Sequence, residues 1–379
     1  MTIGIIAEYN PFHNGHLYLI NKIKEKYKDA TIISVITGNF TERGDVSIID
    51  KFKKAEIAVK NGIDIVVELP FVFSTQSADY FSYGALTILN YLKVDLIVFG
   101  SENNNIEDLE TVADIQLNNS KFDSLVQIHC KMGCSYPKAL SNAVYDLTNK
   151  QINTPNDLLG ISYIKIIKKY NYNIKYECIK RTNDYHSKTL EEISSSTALR
   201  EALINNKDIK KYIPKNSYKY YNNLHFLEDY FPFLKYKIIT DNNLEDYTTT
   251  KEGDHKRLIK YIKISNSYIE LINNLKHKNI TENKIRRLLI HILCNYKKDI
   301  HKKFNKIEYI RILKINSKGK RYLNSIKKDI NIKIISKISK NKPSMLEYEL
   351  YTTNIYNLIN KNSISEENNI IYIGDEEND

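Results

Sequence analysis

The sequence predicts an α/β fold in which a parallel sheet comes first and a mainly helical, basic region follows. In the first half, short apolar runs rich in β-branched residues alternate with helical patterns. The second half is rich in Leu, Ile and Lys, has few Gly or Pro, and holds most of the excess positive charge. We therefore expect two domains, at residues 1–205 and 206–379, with a helical insertion at about 103–150 in the first.

Five runs in the first domain predict strands, at residues 3–7, 31–37, 63–69, 94–99 and 173–180. Between the first two runs, Leu17, Ile20 and Ile23 recur at the spacing of an amphipathic helix. A strand, a loop and a helix form the opening unit of a Rossmann-like domain, where ligands bind at the carboxyl ends of the strands. The loops after the five strands are therefore the candidate site.

Length and composition exclude several classes of protein. A chain of 379 residues with 42% hydrophobic residues can bury a substantial core, so intrinsic disorder is excluded. No apolar run reaches 18 residues and the N-terminus lacks the pattern of a signal peptide, so we expect a cytoplasmic protein with no membrane contact. The cysteines lack CxxC spacing and are expected to be small core residues rather than a disulfide framework or zinc ribbon; they are Cys130, Cys134, Cys178 and Cys294.

The net charge of +11 is concentrated in one part of the chain. Residues 251–350 carry 26 basic and 9 acidic side chains, a net of +17, whereas the first 200 residues carry 22 and 23. An AT-rich coding bias would act on both halves, so we expect a polyanion-binding surface, with a solvated lysine-rich face as the alternative. Tyrosines in this region could stack on unpaired RNA bases or belong to the core; they are Tyr261, Tyr268, Tyr296, Tyr309 and Tyr322.

The sequence EYNPFHNGH at residues 8–16 runs from the first strand into the first helix. His13 and His16 lie one turn apart beside free backbone N–H groups, and Gly15 lets a phosphate come close. A neutral imidazole can donate to phosphate oxygens and stabilise charge that develops at the α-phosphorus, so both histidines are catalytic candidates. Two alternatives remain: a zinc pair, which lacks a third ligand nearby in sequence, and an ordinary capped helix start. We predict no protein-bound metal.

A second candidate phosphate site is the sequence ISSSTALR at residues 193–200. Hydroxyls and free N–H groups at a helix start, with an arginine one turn later, could hold the β- and γ-phosphates. Those residues are Ser194, Ser195, Ser196 and Arg200. The alternative is a simple serine cap.

The strand, His-x-Gly-His and helix, followed by the serine-rich motif, resemble the HIGH-type nucleotidyltransferase superfamily. Further strings narrow the resemblance to the tRNA(Met) cytidine acetate ligase family. Together with EYNPFH at 8–13 they are TGNFTERG at 37–44, ELP at 68–70, QSAD at 76–79, FGSE at 99–102, SYP at 135–137 and TPNDLLG at 154–160. The resemblance covers residues 1–205, so only basic helical character describes the rest.

This resemblance implies a ligase that forms acetyladenylate from ATP and acetate and acetylates N4 of the wobble cytidine of elongator tRNA(Met). ATP is a substrate, and Mg²⁺ is its possible companion. The implied ATP contacts are Ala7, Glu8, Tyr9, Asn10, Pro11, Phe12, His13, Asn14, Gly15, His16, Leu17, Tyr18, Leu19, Ile20, Gly100, Asn156 and Arg181.

The reactions also need groups that the resemblance does not supply. Glu8, Asp79 and Glu102 are the candidates for accepting the proton of the cytidine amine. Tyr9 and Phe40 are the candidate walls of an acetate pocket.

Two other functions stay open at this point. A small-metabolite adenylyltransferase would use the same phosphate motifs but leaves the basic region unexplained. A non-catalytic RNA-binding protein would bind tRNA without releasing pyrophosphate.

Overall fold

The computed structural model describes residues 1–181, 195–248, 253–277, 280–360, 365–367, 369 and 371–374. These residues form one seven-stranded sheet with helices on both faces. The strands are β1 (Thr2–Ala7), β2 (Thr31–Thr37), β3 (Ile65–Leu69), β4 (Leu96–Ser101), β5 (Lys175–Lys180), β6 (Tyr309–Ile315) and β7 (Lys333–Ile335).

The α-helices divide into those that belong to the first five strands and those that follow. The first group is α1 (Asn14–Lys26), α2 (Lys51–Lys60), α3 (Phe71–Ser74), α4 (Ala78–Tyr91), α5 (Ile106–Asn118), α6 (Phe122–Lys131), α7 (Tyr136–Thr148) and α8 (Pro155–Lys169). The second is α9 (Ser196–Ile204), α10 (Phe231–Thr240), α11 (Asp254–Ile262), α12 (Tyr268–Leu275), α13 (Glu282–Leu293), α14 (Lys298–Lys303), α15 (Ser317–Ile326) and α16 (Ser344–Tyr356).

The sheet order is β5-β4-β1-β2-β3-β6-β7, and the first five strands are all parallel. All five lie within two residues of their predicted bounds, so the predicted Rossmann-like parallel sheet is confirmed. Strand β1 is central, between β2 and β4, and its carboxyl end opens into the EYNPFHNGH loop. Helices α5 to α7 occupy the predicted insertion.

Two strands from beyond residue 206 extend the sheet. Strand β6 pairs antiparallel with β3, and β7 pairs parallel with β6. Helices still dominate this half, but the sequence pattern predicts no strand there. The reason is the sequence YIRILKI of β6, where Arg311 and Lys314 interrupt the apolar run although all seven residues are buried.

Two apolar layers cover the sheet, as a parallel sheet requires. Alternate residues of one strand point to opposite layers: Ile33 and Val35 to the layer with α4 and α8, and Ile32 and Ile36 to the layer with α1 and α2. The helices of the second half pack mainly into the first of these layers.

A buried ionic cluster joins the late part of the chain to β3. Lys51 lies 2.6 Å from carboxylate oxygens of both Glu68 and Glu366, and Arg311 lies 2.6 Å from Glu366. Glu349 completes the cluster, 3.8 Å from Lys51. Buried charges of this kind are stable only when they are paired. The burial of Lys51 and Glu68 therefore depends on Glu366 and on Arg311 of β6 in these positions.

Two expectations about the class of protein can be compared with the described residues. Cys294 is buried and Cys134 and Cys178 are partly buried, but Cys130 is exposed, so the expected core position is wrong for Cys130. In the ranges given above, no helix has both the length and the apolar character needed to cross a membrane.

Candidate active site

A pocket lies at the carboxyl ends of β1, β4 and β5, where parallel α/β sheets bind ligands. The loop after β2 and helices α8 and α9 complete its walls. The predicted residues that line it are Ala7, Glu8, Tyr9, His13, Gly15, His16, Tyr18, Leu19, Gly100, Asn156, Arg181, Ser195, Ser196 and Arg200. Motifs far apart in sequence are therefore brought to one place.

The other predicted residues of the first loop and helix support the pocket without lining it. Asn10 donates to Val46 O and accepts from Ile48 N, which joins the loop to the segment after β2. Asn14 donates to Lys211 O, and the remaining members, Pro11, Phe12, Leu17 and Ile20, are buried or pack in the core. Ser194 lies outside the described residues.

The two histidines combine helix capping with N–H donors at the pocket. His13 Nδ1 accepts from Gly15 N at 3.0 Å, and His16 Nδ1 accepts from His13 N at 3.2 Å. Their rings stack with centroids 3.8 Å apart. Because each Nδ1 accepts a backbone N–H, the proton of each neutral ring lies on Nε2. The capped helix start and the candidate phosphate site are thus the same structure, with two Nε2–H donors at the pocket.

Burial keeps both imidazoles neutral near pH 7. Burial lowers the pKa of His13 to about 3, and the charges of Arg181 and Arg200 contribute. Burial also lowers the pKa of His16 well below its usual value, with His13 and Arg181 contributing. Over the described part of the chain, no three His, Cys, Asp or Glu side chains are grouped to hold a metal ion. Because both rings are neutral and carry the proton on Nε2, the pair is equipped to donate hydrogen bonds.

Three arginines supply most of the positive charge at the pocket, which Lys180 also lines. Arg43, Arg181 and Arg200 all line it, and burial, together with the nearby Arg43 charge, lowers the pKa of the other two. Arg200 donates to Asn10 O at 2.9 Å and lies 3.3 Å from Asp45, so it links α9 to the loops after β1 and β2. Three guanidinium groups around one pocket suit a polyphosphate.

The amino end of α9 faces the same pocket. Ser195 caps the helix by accepting from Ala198 N at 3.2 Å, and Ser196 and Thr197 line the pocket beside it. The serine cap and the candidate anion site again coincide, because free N–H groups of a helix start attract anions.

The ends of β4 and β5 shape the opposite side. A Cβ at Gly100 would lie 3.1 Å from Arg181 Cγ, so glycine leaves room for the arginine. Asn156 donates to Glu102 at 2.5 Å, and Glu102 also accepts from Asp157 N. Glu102 thus orients Asn156 but does not itself line the pocket.

Lys54 holds the ends of β1 and β2 together. Its ammonium donates to Glu8 O at 3.0 Å, Thr37 O at 2.9 Å, Gly38 O at 2.8 Å and Ser47 Oγ at 2.8 Å. Burial lowers the pKa of Lys54 to about 7. Both loops that follow these strands are therefore anchored at one buried point.

Sequence reasoning missed several pocket residues. Glu42 and Arg43 lie within the TGNFTERG string, so their charges were a usable signal. Phe99 lies within the FGSE string, whereas Phe81 and Tyr163 gave no signal, because aromatic residues in an apolar helix are usually core residues.

The second half of the chain touches the rim of the pocket. Arg287 on α13 donates to Glu42 O at 3.2 Å and to its carboxylate at 2.9 Å. Burial raises the pKa of Glu42, and the charge of Arg287 opposes that shift. Gly44 has φ +73°, and a Cβ there would meet the backbone of Arg286 and Arg287. Helix α13 therefore packs directly on the loop after β2.

Other candidates lie elsewhere. Asp79 pairs with Lys165, and Phe40 is buried against Phe71 and Tyr356. Neither lines the pocket, so the expectation of Phe40 as a pocket wall is wrong, whereas Tyr9 is at the pocket.

Three of the five tyrosines that could stack on RNA bases belong to the core. Tyr268, Tyr296 and Tyr309 are buried, so stacking on RNA is wrong for these three. Tyr261 and Tyr322 are partly buried.

Comparison with known proteins places these features in a family. The model of the HIGH Nucleotidyl Transferase family matches residues 1–369. A tRNA(Met) cytidine acetate ligase from Geobacillus sp. (strain WCH70) is 38% identical over 357 residues, which cover 89% of each chain. Crystal structures of Thermotoga maritima TmcAL, apo and bound with alpha-thio ATP, superpose with TM-scores of 0.91 and 0.89. Each is 29% identical and is matched over 98% of this chain and 99% of its own.

Proposed function

Because the chain belongs to the tRNA(Met) cytidine acetate ligase family of HIGH nucleotidyl transferases, we propose that it is an ATP-dependent ligase that acetylates N4 of the wobble cytidine of elongator tRNA(Met). One observation carries the proposal. The Nε2–H groups of His13 and His16, the guanidinium groups of Arg181 and Arg200, and the amino end of α9 meet in a single pocket. This set of donors fits a nucleoside triphosphate.

The triphosphate would lie between the histidine pair and α9. Gly100 and Asn156 would face the adenosine, and Arg181 would reach from the end of β5 toward the phosphates. Two observations support this arrangement: these residues line one pocket, and the related Thermotoga maritima structure was solved with alpha-thio ATP. Mg²⁺ would enter with the nucleotide, as part of the substrate.

In the first step, an oxygen of acetate attacks the α-phosphorus and pyrophosphate leaves. The histidine donors would stabilise the charge on the α-phosphate oxygens, and Arg200 with the α9 N–H groups would stabilise pyrophosphate. No covalent bond between the enzyme and a substrate is needed, because positioning and charge stabilisation can supply several kcal/mol each.

The tRNA would bind across the pocket and the basic second half of the chain. Exposed lysines on α11 and α14 are available to phosphates: Lys256, Lys260, Lys302 and Lys303. Arg311 and Lys314 are buried and are not among them. The division near residue 205 is proposed to be functional: residues before it form the nucleotide pocket, and residues after it form the RNA surface.

The test incubates the protein with α-labelled ATP and acetate, with and without bulk tRNA. Acetyladenylate in the first reaction and N4-acetylcytidine in the digested tRNA of the second are the expected products. ATP consumed with an adenylylated metabolite and no modified tRNA would favour the small-metabolite adenylyltransferase. Binding of tRNA without pyrophosphate release would favour a non-catalytic RNA-binding protein.

Two further measurements separate the nucleotide site from the tRNA surface. His16→Ala should abolish acetyladenylate formation and largely spare tRNA affinity, whereas His129→Ala in the insertion should change neither. The logarithm of the tRNA association constant should fall with the logarithm of salt at about −0.7 per neutralised single-strand phosphate. A flat salt dependence would remove the basic half from the proposal.

A further inference from the structure

The second step needs a proton acceptor, and this inference rests on the proposed function. The N4 lone pair of cytidine forms the bond to the acetyl carbon, and the bond from that carbon to the phosphate oxygen breaks, so its electron pair leaves on AMP. One N4 proton must be removed to give the neutral amide. A positioned carboxylate or imidazole is the usual acceptor.

Few groups at the pocket can accept that proton. Glu8 and Glu42 carry the only carboxylates among the described residues that line it. Asp79 and Glu102 do not line the pocket and are held by Lys165 and Asn156. His13 and His16 are poorly suited, because each Nδ1 accepts a backbone N–H and each neutral ring carries its proton on Nε2.

The two carboxylates differ in their partners. Glu42 is bound through Oε1 by Arg287, so it is committed to an ion pair at the pocket rim. Glu8 accepts from Glu42 N through Oε1 at 2.8 Å, and within the described ranges its Oε2 has no hydrogen-bond partner. Glu8 therefore has one oxygen that fixes its orientation and one that is available to a substrate.

Glu8 is also held close to the reacting groups. It follows β1 directly and shares a loop with His13, where the α-phosphate would lie. Its main-chain carbonyl accepts from Lys54, so backbone and side chain are both anchored. In an acyl-adenylate the acetyl carbon is bonded through one oxygen to the α-phosphorus, so a base for the second step must lie beside the phosphate site.

We propose that Glu8 is the catalytic base that accepts the N4 proton of the wobble cytidine during acetyl transfer. Glu42 is then a positioning residue, because its backbone N–H orients Glu8 while Arg287 holds its side chain. The second half of the chain thereby contributes to the orientation of the base, as well as to the surface that would bind tRNA.

The experiment measures the two steps separately. Acetate-dependent exchange of pyrophosphate into ATP reports adenylate formation, and a single turnover from preformed acetyladenylate to tRNA reports transfer. For Glu8→Gln we expect transfer to fall about 100-fold or more and adenylate formation to fall less than tenfold, because general base catalysis typically contributes 10²–10⁴-fold. Asp79→Asn, a carboxylate outside the pocket, should leave both rates as in the wild type.

The pH profile separates a base from a structural role. The wild-type transfer rate should rise with pH along an acid limb, which Glu8→Gln should lack and Glu8→Asp should retain. The titratable and charged groups around Glu8 are Glu42, Lys54, Tyr163 and Arg200, and they are common to all three proteins. Adenylate formation that Glu8→Gln retains shows that its loss of transfer is not a failure to fold.

Each outcome is informative. Glu8→Gln that transfers within tenfold of the wild type, or loses both steps equally, refutes the role of Glu8 and leaves the proposed function standing. A wild-type protein that makes acetyladenylate but no N4-acetylcytidine refutes the proposed function, and this inference with it.

Discussion

Replacing Lys54 by Met tests whether one buried ammonium holds the ends of β1 and β2. Methionine keeps a long apolar side chain but cannot donate to Glu8 O, Thr37 O, Gly38 O or Ser47 Oγ, all within 3.0 Å of Nζ. The ammonium has three N–H donors to share among these four acceptors, and three lost hydrogen bonds of a charged group at about 1.5 kcal/mol each remove roughly 4 kcal/mol. Relief from burying a charge offsets part of this loss. We expect the free energy of unfolding to fall by about 3 kcal/mol.

Urea unfolding measures that loss, and pyrophosphate exchange measures its effect on the pocket. Because the loop after β1 leads to His13 and His16 and the loop after β2 carries Arg43, we expect adenylate formation to fall tenfold or more, as small misplacements of groups that contact the substrate are costly. Lys53→Met is the matched control. The side chain of Lys53 is 33% exposed on the same helix and lies 3.4 Å from Asp50, so this variant should lose less than about 1 kcal/mol.

The pH dependence has a definite sign. Burial lowers the pKa of Lys54 from 10.5 to about 7, so between these values the unfolded state binds more protons than the folded state. Stability from this residue therefore rises with pH, by up to about 1.4 kcal/mol per pH unit. The difference between wild type and Lys54→Met should grow from pH 7 to pH 9. A variant within 1 kcal/mol of wild type, or a difference that shrinks with pH, would refute the reasoning.

The remaining predictions concern the pocket rim and the histidines. Gly44→Ala should lower the free energy of unfolding by about 3 kcal/mol or more, because its Cβ would meet the backbone of α13. Gly253→Ala is also at positive φ but has nothing within 4 Å of the added Cβ, so it should lower that free energy by about 1 kcal/mol. Equal losses in urea unfolding would contradict this prediction. The pH profile of kcat/KM for ATP should show no inflection near pH 6.5 from His13, because burial lowers the pKa of His13 to about 3. An inflection there that His13→Asn removes would be evidence against a buried, neutral His13. Arg287→Ala should slow acetyl transfer from the adenylate to bound tRNA about tenfold, because the substitution releases Glu42. Weaker tRNA binding with an unchanged transfer rate would mean that Arg287 serves binding alone.

Strand β5 lies at the edge of the sheet and is partly exposed. Strands β1 to β4 could be predicted because each is a mainly apolar run that is largely buried between the two layers of helices, and such a run can be recognised within one short stretch of sequence. Strand β6 could not. Arg311 pairs with Glu68 on β3 and with Glu366, and Lys314 lies 3.5 Å from Glu56 on α2, so these charges are compatible with burial only through distant partners. From sequence alone, a charged residue in a strand is expected to be exposed, because its distant partners are not known.

The same distinction applies to the site. The His-x-Gly-His loop and the serine-rich helix start could be identified from sequence because their chemistry is local: a cap, a glycine and the free N–H groups of a helix end lie within a few residues of one another. Lys54 and Glu42 could not be assigned roles, since their partners come from other strands and from α13. Tyrosines gave no reliable signal, because the same side chain suits the core and an RNA surface.

By itself the sequence determined the parallel sheet, the loop that carries the phosphate motifs and the excess charge of the second half, because each follows from neighbouring residues or from composition. Only the tertiary structure decided which carboxylate lies in the pocket, which nitrogen of each histidine carries the proton, and that α13 packs on the loop after β2. Those properties depend on burial and on hydrogen-bond geometry, from the bonds within the turn at residues 13–16 to the contact of Glu42 with Arg287, 245 residues away, and these exist only after the chain has folded.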